Sequence, residues 1–163
     1  EPYGAVVLDR YWNILMSNRG MERFYPFIVD PAAGGTPANI MRLTFHPKGF
    51  RPHIANWADV AAPLLQRLQR EAAASWADTG SSDLLREMLS YPGVQQDWAN
   101  ADAERSSLLL PVHLKKGDVE ARLFTSIATL GTAQDITLHE LRIETFFPAD
   151  PATETLIRKM ADG

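Results

Sequence analysis

The side chains that could do chemistry in this sequence are its histidines, serines and carboxylates. His46, His53, His113 and His139 do not stand at metal-ligand spacing, and His139-Glu140 lacks the second histidine of an HExxH zinc motif. No serine lies in a Gly-x-Ser-x-Gly frame, and the chain has no cysteine to act as a nucleophile. The carboxylates are scattered over polar faces and turns. We therefore expect no metal, no cofactor and no enzymatic activity, with His113 and His139 on strand surfaces.

The apolar residues are more informative than the polar ones. The predicted helices offer Phe24, Met41, Phe45, Leu64, Leu68, Leu85 and Met88, and the predicted strands offer Leu110, Leu123, Ile127, Ile143 and Phe147. Ordinary core packing explains most such stripes. Short helices broken by proline and glycine pack less tightly than long ones, however, so we also expect a lipid-sized cavity between the layers. These residues are the predicted ligand-binding set.

An apolar pocket with one polar end suits an acyl chain. Arg51 and His53 lie in a connector beside the apolar helices, where they could face a carboxylate head group. The alternative for both residues is solvent exposure or capping of a helix end.

Composition bounds the function further. The 163 residues are 45% hydrophobic and 22% charged, as in an ordinary single globular domain, which we place at residues 1–163. The net charge of −4 lacks the basic footprint that phosphate binding needs, so this chain alone is not expected to bind DNA. No apolar run approaches the length of a membrane span, and the absence of cysteine fits a cytoplasmic protein. The start without methionine suggests a piece of a longer protein.

The stretch Val119–Phe147 organises the predicted fold as a long hairpin. Its first arm alternates, with Val119, Ala121, Leu123 and Ile127 on one face, a period of two that predicts a half-buried strand. A small, polar turn is expected at 131–135. In the second arm Leu141, Ile143 and Phe147 share the face expected to be buried, and Arg142 and Glu144 share the polar face. A register slip is expected near His139-Glu140.

Helix signals fill the first two-thirds of the chain. Asn18 predicts the start of a helix through Phe27, and Asn39 predicts a short helix through Phe45. The strongest helix is expected from Asn56, as N-cap, to Trp76. Pro63 lies inside it, so we expect either a bend or a start nearer the proline.

The remaining elements follow from breakers and periodicity. We expect two early strands, Tyr3–Asp9 and Asn13–Ser17, and a later strand at Leu108–Lys115. We also expect a helix at Asp83–Ser90, capped by Ser81 or Ser82, a helix at Val94–Asn100 and a last helix at Ala152–Ala161. A loop is expected at 101–107. Pro111 cannot donate to a ladder, which predicts an edge strand. Lys116-Gly117-Asp118 predicts a tight turn into the hairpin.

This order predicts an α+β fold of the PAS type. Two strands, several helices and three strands give a five-stranded antiparallel sheet. The helices inserted between strands 2 and 3 pack on one face of it, and a C-terminal helix follows.

Three motifs resemble one known family. The segment His46–Trp57 (HPKGFRPHIANW) resembles the HPxGxRPxIxNW segment of the ligand-binding domain of MmyB-like transcription regulators. The stretch Thr125–Pro148 (TSIATLGTAQDITLHELRIETFFP) matches that family's pattern almost residue for residue, and Leu8–Asn18 is similar to its DRxWxVxxxN opening. Ala133, where the family often has proline, and Pro63 are departures, and Pro63 could reshape a pocket wall.

The resemblance implies a PAS-like sensor of a bacterial regulator. In such proteins this domain follows a Cro/repressor-type helix-turn-helix, so DNA would be contacted only through an N-terminal domain outside this chain. The expected partner is a small apolar, fatty-acid-like ligand, with no membrane.

Two alternatives remain open. One is a homodimerisation module with a filled core, using an outer patch of Phe124 and Phe146. The other is a small-molecule enzyme, which a convergent polar cluster in the pocket would favour.

Overall fold

The computed structural model describes residues 1–29, 31–74, 79–99, 109–130 and 141–162. The strands in this part of the chain are β1 (Ala5–Leu8), β2 (Ile14–Ser17), β3 (Leu110–Lys116), β4 (Val119–Leu130) and β5 (Leu141–Pro148). The α-helices are α1 (Arg19–Ile28), α2 (Ile40–Phe45), α3 (Trp57–Ala74), α4 (Gly80–Ser90) and α5 (Pro151–Asp162). Short 3-10 turns lie at Pro31–Gly34, Arg51–His53 and Gln96–Ala99.

The five strands form one antiparallel sheet in the order β2-β1-β5-β4-β3. Helices α1 to α4 lie in sequence between β2 and β3, and α5 follows β5. The α+β, PAS-like prediction is therefore confirmed. Strand β3 lies at an edge of the sheet, as Pro111 predicted, because an edge position spares one side of the strand from donating to a ladder.

Strand β4 turns the predicted face toward the helices. Ala121, Leu123 and Thr125 are almost completely buried, and Ile127, on the same side, is half-buried against the core. The tight turn before the strand is also confirmed, with Gly117 at a φ of 58° that disfavours any side chain.

The face predicted for β5 is wrong. Thr125 pairs with Phe146 and Ile127 pairs with Glu144, and residues directly opposite each other in a sheet share a face. Glu144 and Phe146 therefore face the helices, together with Arg142, which lies two residues before Glu144 in β5. Ile143 and Phe147 face the other side of the sheet, as does Leu141.

An aromatic cluster lies on that outer face. Phe147 stacks on Phe124 with ring centroids 5.3 Å apart, and Tyr3 meets the edge of Phe147 at 5.9 Å. The predicted outer patch of Phe124 and Phe146 therefore needs correction, because Phe147 takes the place assigned to Phe146.

Asparagine side chains begin two helices as predicted. The Asn18 Oδ1 accepts the Met21 N–H at 3.0 Å at the start of α1. The Asn39 Oδ1 accepts from the N–H groups of Met41 and Arg42, and its amide donates to the Tyr11 carbonyl at 2.8 Å. Asn39 is 2% exposed, so these bonds satisfy a polar group that burial would otherwise make costly.

Asn56 does not cap α3 through its side chain, contrary to the prediction. The Nδ2 of Asn56 donates to the Pro111 carbonyl at 2.9 Å, and its Oδ1 accepts the His113 N–H at 2.9 Å. The adjacent Ala55 N–H donates to the His113 carbonyl at 2.8 Å. The segment before α3 is therefore hydrogen-bonded to the free side of edge strand β3.

Helix α3 runs from Trp57 to Ala74 with Pro63 inside it, so a start nearer the proline is wrong. Its buried stripe includes Val60, Leu64 and Leu68, as the spacing predicted. Helix α4 begins earlier than expected, at Gly80, with Thr79 preceding it and no side-chain cap. Ser81 and Ser82 lie within the helix and do not cap it.

Some predictions fall outside the described residues. These are the end of α3 at Trp76, the loop at 101–107, Leu108, the turn at 131–135, His139 and the register slip near His139-Glu140. In the described part of the chain no helix is long and apolar enough to cross a membrane.

We predict that Asn56→Ala lowers the free energy of unfolding by about 1–2 kcal/mol, because two hydrogen bonds to β3 are lost. Urea denaturation measures the change. Asn56→Asp is the matched control, since it keeps an acceptor for the His113 N–H and loses only the donor, and it should fall between alanine and wild type. Equal stability of Asn56→Ala and wild type would show that the bonds to β3 contribute nothing.

Candidate functional site

A cavity lies between the helices and the inner face of the sheet. It contains about 590 Å³ of space not occupied by atoms, a figure that includes the open solvent in its mouth. The sheet contributes Leu110, Val112, Leu114, Leu123, Thr125, Glu144 and Phe146, and the rest of the lining is Trp12, Met21, Phe24, Ile40, Met41, Thr44, Phe50, Ile54, Val60 and Leu64. The wall is thus almost entirely apolar.

Five residues of the predicted ligand-binding set line this cavity: Phe24, Met41, Leu64, Leu110 and Leu123. Phe45, Leu68, Leu85 and Met88 are buried in the hydrophobic core and do not line it. Ile127 lies on the inner face beyond the lining, and Ile143 and Phe147 lie on the opposite face of the sheet.

Arg51 and His53 also lie outside the cavity lining. The Arg51 guanidinium sits over the Trp57 ring, 4.3 Å from its centroid, a cation–π contact. Burial lowers the pKa of Arg51, and its Nε has no hydrogen-bond partner among the described residues. Burial and the charge of Lys116 lower the pKa of His53, which lies beside β3. The role of these two side chains in binding a head group stays a prediction.

Glu144 is the one acidic residue in the described lining. Its side chain is on the inner face of the central strand β5, and the residue is 5% exposed. Burial raises the pKa of Glu144 from about 4.5 to about 7, because the apolar surroundings penalise the carboxylate. The positive charge of Arg67 acts in the opposite direction, but the Arg67 Nε is itself paired with the Glu71 Oε1 at 3.2 Å. Glu144 therefore keeps its proton to a higher pH than an exposed glutamate does.

Two threonines also line the cavity, and only one of their hydroxyls forms a hydrogen bond in the described part of the chain. The Thr44 Oγ1 donates to the Ile40 carbonyl at 2.8 Å, so its hydrogen is already used. Thr125 is 2% exposed, and its Oγ1 has no partner at hydrogen-bonding distance in the described part of the chain. The hydroxyl lies near Glu144 and favours the charged carboxylate, but without a formed bond this effect is weak compared with burial.

A charged cluster flanks the Trp12 wall of the cavity. The Arg142 guanidinium stacks over the Trp12 ring at 4.6 Å, and its Nη2 pairs with the Glu71 Oε1 at 2.9 Å. The Trp12 indole N–H donates to the Glu71 Oε2 at 2.9 Å. Arg67 lies over the same ring at 5.2 Å. Glu71 therefore binds both arginines and fixes the indole that forms this wall.

A second, smaller cavity of about 260 Å³ adjoins the first. Met21, Phe24, Leu123 and Phe146 line both spaces, and Ile157 of α5 closes the smaller one. The two spaces therefore share these four residues as part of their walls.

Among the lining residues that the sequence analysis missed, Glu144, Thr125 and Phe146 matter most for the chemistry of the site. Thr125 could have been found, because it lies on the alternating face already predicted for β4. Glu144 and Phe146 depend on the register between β4 and β5, which periodicity within one strand does not reveal. Among the described residues, no group of three His, Asp or Glu side chains lies together as a metal would require.

The fold is thus a PAS-like sheet with helices on one face and a mostly apolar cavity between the two layers. The family model of the MmyB-like transcription regulator ligand binding domain matches residues 1–160, and the chain belongs to this family. A comparison with curated proteins gives no match. The chain is thus the regulatory ligand-binding domain of a transcription regulator.

We predict that Glu144→Gln stabilises the protein above pH 7, by on the order of 3 kcal/mol for a pKa raised from about 4.5 to about 7. The folded state keeps the Glu144 proton up to about pH 7, whereas the unfolded chain releases it near pH 4.5. The stabilisation from this proton is therefore complete below pH 4.5 and is lost as the pH rises through 7. Urea denaturation of both proteins across this range measures the difference, which should vanish at low pH.

The exposed Glu154 supplies a control for this titration. A hydrogen bond from Arg158 lowers the pKa of Glu154, so Glu154→Gln should give no stabilisation above pH 7. A Glu144→Gln variant that matches wild type at every pH would show that the Glu144 side chain is solvated.

Proposed function

We propose that the domain binds a fatty-acid-like molecule, with an apolar chain and one polar end, in the cavity between helices and sheet. The observation that carries this proposal is the cavity itself, whose lining is apolar except for Thr44, Thr125 and Glu144. A flexible apolar chain gains roughly 0.8 kcal/mol for each buried methylene group. An apolar lining of this kind can contact such a chain with few polar groups left unpaired.

The walls of the cavity suggest how occupancy reaches the rest of the regulator. Helices α1, α2 and α3 contribute Met21, Met41 and Leu64 to one side, and the sheet forms the other. A guest between these layers favours the arrangement in which they stand further apart. A ligand with different affinity for the two arrangements shifts their populations, and reciprocal coupling of about 1–3 kcal/mol is typical of such sites. DNA would be contacted by an N-terminal helix-turn-helix domain outside this chain.

The outer face of the sheet favours a second candidate function, homodimerisation. Tyr3, Phe124 and Phe147 form an aromatic cluster there, and each is only half-buried. Aromatic side chains are enriched where proteins associate. This face is opposite the cavity, so dimerisation and ligand binding would be compatible.

We predict that Val112→Trp abolishes ligand binding. Val112 lines the cavity from β3 and is half-buried, so an indole placed there fills space that the chain of the ligand needs. Native mass spectrometry with acids and alcohols of about eight to eighteen carbons should show an adduct on the wild type and none on the variant.

Met16→Trp is the matched control for Val112→Trp. Met16 is 68% exposed on β2 and does not line the cavity, so its substitution should leave the adduct unchanged. The proposal fails if no compound in the panel binds the wild type, or if Val112→Trp binds as well as Met16→Trp while remaining folded by circular dichroism.

A further inference from the structure

The polar end of the cavity is formed by two side chains on adjacent strands. Glu144 pairs with Ile127 in the β4–β5 ladder, and Thr125 precedes Ile127 by two residues on the same face. The two polar side chains are therefore diagonal neighbours, a separation that side chains of this length can bridge. Both residues are more than nine-tenths buried and both line the cavity.

The Thr125 hydroxyl lacks a partner in the described structure. Its Oγ1 is inaccessible to solvent in the empty domain and makes no hydrogen bond there. A buried hydroxyl without a partner destabilises the fold, so such groups occur rarely and call for a structural reason. A hydrogen bond between this hydroxyl and a ligand atom would be such a reason.

The described cavity lining contains no cation. Arginine, lysine and histidine are absent from it, and the nearby Arg67 and Arg142 are both held by Glu71. A carboxylate head group at the polar end would face Glu144 in mostly apolar surroundings, and the nearby arginines already pair with Glu71. Two carboxylates so placed repel each other and cannot both ionise without a large penalty.

A hydroxyl head group fits these two side chains better. Its O–H can donate to the Glu144 carboxyl group, and its oxygen can accept the hydrogen of the Thr125 hydroxyl. One ligand hydroxyl thus forms hydrogen bonds with both Thr125 and Glu144, in either protonation state of Glu144. A protonated amine would also attract Glu144, but it has no lone pair to accept from Thr125.

We propose that the cavity selects an apolar molecule ending in a hydroxyl, bound between Thr125 and Glu144, over the matching carboxylate. This inference rests on the proposed function and deepens it by naming the head group. It differs from the expectation that Arg51 and His53 bind a carboxylate, because those two residues lie outside the lining.

Isothermal titration calorimetry with decanol, decanoic acid and decylamine at about pH 8 tests the head group at constant chain length. The wild type should bind decanol about tenfold or more tightly than decanoic acid, with decylamine between them, since a tenfold ratio is the change that a modest polar interaction produces. Glu144→Gln should bind decanoic acid at least several-fold better than the wild type does, because the like charge is gone.

Thr125→Val is the second variant, since it removes the hydroxyl and nearly keeps the shape. It should weaken decanol binding several-fold and leave the affinity for decanoic acid unchanged. Met16→Trp should behave as wild type with all three compounds.

The possible outcomes separate this inference from the proposed function. If decanoic acid binds the wild type as tightly as decanol, and Glu144→Gln changes neither affinity, the head-group assignment is overturned while ligand binding stands. If no compound binds any folded variant, both are overturned. Tightest binding by decylamine, lost in Glu144→Gln, would replace the hydroxyl with a cationic head group and would also overturn the assignment.

Discussion

The antiparallel register between β4 and β5 is the constraint on which the site depends. Pairing Thr125 with Phe146 and Ile127 with Glu144 directs one carboxyl group and one aromatic ring toward the helices. A shift of a single residue would instead point Ile143 and Phe147 inward and would remove the carboxyl group from the interior. The cavity owes its polar end to this register, because β5 is the central strand and cannot turn Glu144 toward solvent without losing the ladders to both β1 and β4.

The segment His46–Trp57 holds the helical layer at the correct place over this sheet. A side chain at Gly49 would overlap the Leu43 carbonyl, so only glycine permits the sharp return after α2. Asn56 then bonds to β3, and Arg51 packs on Trp57, which in turn donates to the Gly93 carbonyl at 3.2 Å. These contacts join α2, α3 and the edge strand. The segment His46–Trp57 thus fixes the architecture and also contributes Phe50 and Ile54 to the cavity wall, whereas the polar end of the cavity lies in the β4–β5 motif.

The sequence predicted the element order, the edge position of β3 and the buried face of β4, because each rests on local rules. Alternation is clear in β4, where one face is apolar and the other mostly polar. It is ambiguous in β5, where Phe146 and Phe147 are adjacent and each face carries large apolar residues. The outer face is also apolar at Val7, which pairs with Ile143. Counting hydrophobic residues therefore favoured the wrong face of β5. Only the pairing with β4 shows which face is directed toward the helices.

Arg51 and His53 show a second limit of local reasoning. A cation near apolar helices suggests an anionic ligand, but a guanidinium can equally lie on an indole ring, as Arg51 does on Trp57. Whether the arginine binds a ligand or packs on an indole ring depends on where the connector crosses the helices. Only the tertiary structure shows this position. Five of the fourteen predicted residues line the cavity because helix and strand periodicity identifies buried residues well, but it does not separate those that touch a void from those that fill the core.

The buried polar end of the cavity connects the proposed binding to the proposed regulation. A carboxyl group with its pKa raised to about 7 by burial, beside an unpaired hydroxyl, makes the domain less stable than a fully apolar interior would. A guest that satisfies both groups would remove this penalty in addition to burying its own chain. Because a ligand stabilises only the state that binds it, the difference would favour the occupied arrangement by mass action. In the function that we propose, the polar end therefore increases the effect of a small molecule on the balance between arrangements.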